Sequence, residues 1–298
     1  MESGLTLAVI GCGNMGSAIL SGILDATTTS GGEKCPFSRI IACTKSQLSS
    51  KNLQTRYAGH ASPVELRFQA GDNTSAAKQA DVVMLGCKPY LVETVLKEEG
   101  LADALANKLV VSIIAGKTPK VLAEYITENE SYESKSKPKP KTSTIQVARA
   151  IPNVAASVRE SMTIIELPEN ATQRDTEIIQ WMFSQIGQVK VLGPELFDAG
   201  TMLMASVATL SVAVDGILDG CVAEGIRRPE ASEMTAQCLL GLARLLQDGH
   251  HPALLREAIS SPKGCTIQGL LAVEKGGVRS AFAESIIDGA GHLRRLQG

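Results

Sequence analysis

The chain has 298 residues, 44% of them hydrophobic and 20% charged, a globular composition long enough for two domains of ordinary size. Its formal net charge of -2 excludes nucleic-acid binding by bulk electrostatics, though not a local basic pocket for one phosphate. The seven cysteines (Cys12, Cys35, Cys43, Cys87, Cys221, Cys238 and Cys265) form no C-x-x-C pair and have no histidine at ligand spacing, so they read as reduced thiols and no metal site is expected. No uninterrupted apolar run reaches the roughly 18 residues of a membrane span. The opening MESGLTLAVIG passes directly into a strand pattern, which leaves no room for a signal or transit peptide. The expected compartment is the cytoplasm, with no membrane or nucleic-acid partner.

The first two thirds alternate short apolar runs with helical patterns. Leu5 to Ile10 (LTLAVI) predicts a strand and Met15 to Leu24 a helix. Arg39 to Cys43 predicts a second strand, followed by a polar helix through Leu48 and Leu53. ELRFQ is a weaker strand, and Ala80 to Cys87 (ADVVMLGC) a buried one, followed by a helix at Val92 to Leu96. Lys108 to Gly116 is another strand, with a helix from Thr118 whose Pro119 suits a first turn. Such alternation predicts βαβ units, hence a parallel sheet covered by helices on both faces. Residues 129–144 (NESYESKSKPKPKTST) break the rhythm. They are polar and rich in Lys and Pro, and read either as a solvated inserted loop or as a basic docking arm. IQVARAIPN resumes as a strand, and SMTIIEL and GQVKVLG flank a helix from Thr172 to Ile186.

After Gly193 strand patterns stop. Glu195 to Leu218 reads as one long helix, with small residues that let another helix approach closely. The expected organisation is an α/β domain over 1–193, with the flexible insert, and an all-helical domain over 194–298.

A few short stretches carry the chemistry. Gly11, Gly13 and Gly16 form G-x-G-x-x-G between a predicted strand and helix, the context that makes this pattern a dinucleotide signature. The first glycine permits the tight turn and the second a close approach of the pyrophosphate. The third permits close packing of helix on strand, and the helix N-terminus favours the phosphate charge. A glycine-rich turn without ligand is the plainer alternative. The second strand ends in Cys43-Thr44-Lys45-Ser46, without the acidic residue that accepts a ribose 2′-OH in NAD sites. Two hydroxyls and an ammonium suit a 2′-phosphate, so NADPH is expected, with NADH as the alternative. The same residues would also serve as an ordinary helix start. Lys88-Pro89 follows a buried strand at the edge where such sheets bind ligands, and Ser112 to Gly116 ends the next strand in small residues. Far along the chain, Ser261 to Thr266 (SPKGCT) precedes a helix whose exposed amides would bind a carboxylate. The four histidines do not converge. Reduction of a protonated imine needs positioning and a dry pocket more than a strong side-chain acid.

With these motifs placed, the chain resembles the pyrroline-5-carboxylate reductases. The likeness runs through IGCGNMGSAIL, ADVVMLGCKP, VVSIIAG, IPNVAASVRESMT, FDAGTML and ISSPKGCTIQGL with EKGGVRSAF. It implies a Rossmann-type α/β domain followed by an all-α dimerisation domain, with a substrate bound between the nicotinamide and a partner's S-P-G-G-T-T loop. The implied reaction is reduction of 1-pyrroline-5-carboxylate to L-proline, the last step of proline biosynthesis, by a homodimer or a higher homo-oligomer. Gly13, Asn14, Met15 and Gly16 would touch the pyrophosphate, Thr44 and Ser46 the adenosine ribose or its 2′-phosphate, and Asn73 the adenosine. Cys87, Lys88, Pro89 and Ala115 would line the path to the nicotinamide. Asn153 matches the Asn of M-P-N-T-P, and Ser261, Cys265 and Thr266 would hold the substrate's carboxylate and imine.

The departures fall in the substrate half. The family's S-G-S-G-P-A-Y reads Met204 to Leu210 (MASVATL), keeping only Ser206. S-P-G-G reads Ser261-Pro262-Lys263-Gly264. Larger residues on the helix are expected to narrow or reshape the pocket. This leaves two alternatives: a related reductase of a substituted pyrroline or a piperideine carboxylate, or a non-catalytic dinucleotide-binding paralogue.

Overall fold

The computed structural model describes residues 4–28, 35–128 and 145–297, so the insert expected at 129–144 lies outside the described residues. The chain divides into two compact units, Met1–Met204 with His292–Gly298, and Ala205–Gly291.

The first unit alternates strands and helices: β1 (Leu5–Ile10), α1 (Asn14–Thr28), β2 (Phe37–Thr44), α2 (Gln47–Tyr57), β3 (Glu65–Ala70), α3 (Asn73–Gln79) and β4 (Val82–Leu85). A single 3-10 turn, Pro89–Leu91, then leads to α4 (Val92–Leu96), α5 (Leu101–Leu105), β5 (Leu109–Ser112) and α6 (Pro119–Glu128). After the insert come β6 (Gln146–Ile151), a 3-10 helix Val154–Val158, β7 (Ser161–Glu166), α7 (Gln173–Ser184) and β8 (Gly187–Val191). The eight strands form one sheet in the order β3-β2-β1-β4-β5-β6-β7-β8.

Every strand pair is parallel except β6 with β7, which departs from the all-parallel expectation. Residues 152–160 between these strands hold only the 3-10 helix, too little chain for the helical crossover that a parallel pair requires. All six residues of β1 are buried, as expected of a strand covered on both faces. Leu7, Val9 and Met84 face Ile19, Leu20 and Ile23 of α1. Ala8, Ile10 and Leu85 face α3, α5 and α6 through Ala76, Leu101 and Leu122. The predicted strands at 80–87 and 108–116 are shorter than their apolar runs. The Ser112 hydroxyl closes the second by accepting from the Ile114 amide at 3.2 Å.

A helix of 30 residues, α8 (Pro194–Ala223), follows β8. Its first turns belong to the sheet. Phe197 and Met204 pack with Ile151 and Ile164, and the guanidinium of Arg149 lies 3.8 Å from the Phe197 ring centroid. Arg149, 4% exposed, donates through Nε and Nη2 to Glu166 Oε2 at 2.9 and 2.6 Å, and Asp198 Oδ1 lies 3.9 Å from its Nη1. Arg149 and Glu166 are register partners across β6 and β7, so a buried ion pair is built directly into the antiparallel step.

The second unit holds the rest of α8 with α9 (Arg228–Gln247), α10 (Pro252–Ala258), α11 (Cys265–Lys275) and most of α12 (Val278–Gln297). His251 Nδ1 accepts from the Ala253 amide at 3.2 Å and caps α10. By length and composition α8 could cross a membrane, with a mean hydropathy of 1.7 over an 18-residue window of which 6% is buried. Counting uninterrupted apolar residues misses this, because Gly, Ser and Thr are scattered through the helix without making it polar.

Candidate functional site

The carboxyl ends of β1 and β4 are neighbours at the point where strand order reverses, the crevice in which open α/β sheets bind ligands. The three glycines of the first turn do different work there. Gly11 has φ +82°, and a Cβ on it would stand 2.6 Å from the Cys87 amide nitrogen, so the turn exists only because this residue has no side chain. Gly13 is the opposite case: its Cβ position is open, with nothing nearer than the Gly11 carbonyl at 4.0 Å. Backbone there is accessible to a ligand. A Cβ on Gly16 would press 3.3 Å from Val9 Cγ1, the close packing of α1 on β1. The first amides of α1, from Asn14 and Met15, have no intrahelical acceptors and carry the positive end of the helix dipole.

At the end of β2, Thr44 is buried and its hydroxyl donates to the Ser46 carbonyl at 3.0 Å. Its proton is therefore committed locally, while Lys45 and Ser46 are exposed. Ser46 also caps α2, its Oγ accepting from the Ser49 amide at 3.2 Å. The hydroxyl that starts the helix sits beside the exposed Lys45.

Cys87, Lys88 and Pro89 follow β4 at the same edge, and Ala115 is exposed just beyond β5. The thiols here are not nucleophiles. Burial pushes Cys12 up to about 11, Cys43 to about 12 and Cys87 to about 11, so all three stay protonated near neutrality. Asn153 follows β6, where its Oδ1 accepts from the Ala155 amide at 3.2 Å and caps the 3-10 helix. Arg159, at φ +65°, ties that segment to α1 by donating to the Ala18 carbonyl and the Asp25 carboxylate.

Asn73 opens α3, next to the end of β2. Its Nδ2 donates to Glu98 Oε1 and Oε2 at 2.8 and 2.9 Å. No motif pointed to Glu98, which lies in the connection from α4 to α5. The only available signal was its place after the buried strand and the Lys88-Pro89 that follows it.

Ser261, Cys265 and Thr266 lie in the helical unit and form a cluster of their own. The Gly264 amide donates to the Ser261 carbonyl at 3.0 Å, and a Cβ on Gly264 would fall 2.4 Å from Ser261 Oγ. Gly264 is the N-cap of α11 without a side-chain cap, which leaves the amides of the first turn to other acceptors. Lys263 stands at φ +59°, where the motif it resembles has glycine. On α8, Met204 is buried in the core with Phe197 and Ile164, whereas Val207 and Leu210 are exposed.

Fold and first turn together define a dinucleotide-binding α/β protein with an appended helical domain. The family model for pyrroline-5-carboxylate reductase dimerisation matches residues 194–296. The model described as NADP oxidoreductase, coenzyme F420-dependent, matches residues 6–116. A pyrroline-5-carboxylate reductase of Lophium arboricola is 40% identical over 95% of this chain and 91% of its own length. One from Neurospora crassa is 39% identical over 96% and 91%. The solved pyrroline-5-carboxylate reductase of Coxiella burnetii superposes with a TM-score of 0.78 at 22% identity, covering 99% of each chain, a likeness of fold. The chain belongs to the pyrroline-5-carboxylate reductase family.

Proposed function

We propose that this protein reduces 1-pyrroline-5-carboxylate to L-proline with NADPH, as a homodimer in the cytoplasm, residues 1–193 binding the dinucleotide and 194–298 serving dimerisation and substrate binding. Near full-length identity to reductases of that name carries the reading. The open approach at Gly13, beside the N-terminus of α1, fits the cofactor.

When bound, NADPH supplies a hydride to the imine carbon, which gains a C–H bond while the C=N electron pair settles on nitrogen. The chain's residues hold, orient and shield. The α1 amides of Asn14 and Met15, with Gly13 and Gly16, would hold the pyrophosphate. Lys45 and Ser46, braced by Thr44, would hold the ribose 2′-phosphate, where an ammonium stabilises charge that a carboxylate would repel. Asn73 would meet the adenosine. Cys87, Lys88, Pro89 and Ala115 would line the nicotinamide half, with Asn153 at the same sheet edge. Backbone amides of Cys265 and Thr266, with the Ser261 hydroxyl, would hold the substrate carboxylate. The Thr266 hydroxyl would hydrogen-bond the ring nitrogen, which arrives protonated and so needs no strong side-chain acid. A second copy, rather than lipid, is the cover this reading gives the apolar surface of α8.

The test is loss of reduced-nicotinamide absorbance with 1-pyrroline-5-carboxylate, substituted pyrrolines and piperideine carboxylates as substrates. Turnover is expected with 1-pyrroline-5-carboxylate above all others. NADPH binding without turnover of any ring would overturn the catalytic reading.

A further inference from the structure

Asn73 and Glu98 come from elements far apart in sequence and meet at the carboxyl edge of the sheet, where the adenosine half of a dinucleotide lies across the ends of β2 and β4. The carboxylate is placed at that edge by more than one observation. Both its oxygens accept from Asn73 Nδ2. It also adds, after burial, to what holds the Cys43 and Cys87 thiols up, and those residues end β2 and follow β4. An ionised carboxylate only accepts hydrogen bonds. Facing one, a side-chain amide must turn its NH2 towards it, and the usual ambiguity between the two ends of an amide disappears. The Asn73 NH2 is thereby used up and its Oδ1 is left for another partner.

We propose that Glu98 is a positioning residue of the cofactor site: it fixes the Asn73 amide so that the edge offers an acceptor, and this acceptor takes a hydrogen bond from an adenosine hydroxyl or amino group. The inference rests on the cofactor reading above.

Calorimetric titration of the full chain with NADPH, together with steady-state kinetics, tests it. Glu98→Gln and Asn73→Ala should each weaken NADPH roughly three- to tenfold, the range of one lost hydrogen bond. KM for NADPH should rise while kcat at saturation stays at the wild-type value. The double variant should bind no worse than the weaker single one, because both changes remove the same contact. Asn73→Asp sets two carboxylates together and should weaken NADPH further. Adding Glu98→Gln to it should restore most of the loss, since an amide then donates to a carboxylate in the reversed pair. Wild-type or tighter binding by Glu98→Gln, additive losses in the double variant, or no restoration in the reversed pair would each overturn the inference. Failure of the wild-type chain to bind NADPH would instead overturn the cofactor reading.

Discussion

In the α/β unit the apolar side chains are covered by their own chain; in Ala205–Gly291 most are not. Only Ala231, Thr235 and Ala290 are buried among the described residues of the helical unit. Leu210, Val212, Ile217, Leu239, Leu242 and Leu246 stand exposed on α8 and α9. Apolar side chains exposed in such number are left without cover by their own chain, and the dimerisation match covers the same residues. A sheet with helices on both faces can close its core within one chain. Helices that are apolar on more than one side cannot.

The largest test of this contrast is to place charge on the uncovered surface. Leu242→Asp with Leu246→Asp, one turn apart on α9, should dissociate the assembly by several kcal/mol, seen by light scattering as a monomer without reductase activity. An unchanged assembly would break the comparison. In the covered unit, Arg149→Met removes the donor that Glu166 pairs with and should cost about 3–5 kcal/mol in denaturant unfolding. A neutral outcome would mean that the join between the sheet and α8 is looser than its geometry. Gly11→Ala, with its Cβ against the Cys87 backbone at positive φ, should cost roughly 2–3 kcal/mol. Gly13→Ala, at an open position, should leave the melting temperature alone and weaken NADPH.

Smaller effects follow at the edges. Lys263→Gly relieves a left-handed lysine and should stabilise by roughly 0.5–1 kcal/mol, read as a higher melting temperature. Asp25 gives a pH test. Burial by itself would raise its carboxyl, but hydrogen bonds from Arg159 and His60 outweigh it and hold the carboxyl below the ordinary range. A depressed folded value stabilises above the unfolded one and is lost as pH falls through the folded one. Asp25→Asn should therefore cost about 0.5 kcal/mol at neutral pH, a figure set by exposure, and nothing in acid below both values. Equal urea midpoints for both proteins at neutral pH would remove that contact from the account.

Much of the α/β unit was legible because its signals are local. The G-x-G-x-x-G turn needs only one strand, one helix and their connection, and Gly11 and Gly16 sit where the spacing required. Thr172 before α7 was readable as a start because it forms a capping box with Asp175. Met204 shows the limit: nothing in the order of residues said which side of a 30-residue helix would meet β6 and β7. Asn153 matched a motif by position, yet its side chain also caps its own turn.

The order of residues by itself determined the strands, several helix starts and the nucleotide-binding turn, since hydrogen bonding and apolar periodicity act over a few neighbours. Only the tertiary structure decided that β7 runs against β6, that Arg149 finds Glu166 across that step, and that Glu98 meets Asn73. Those pairings depend on strand order, register and where each connection returns to the sheet, and no short stretch of sequence contains them.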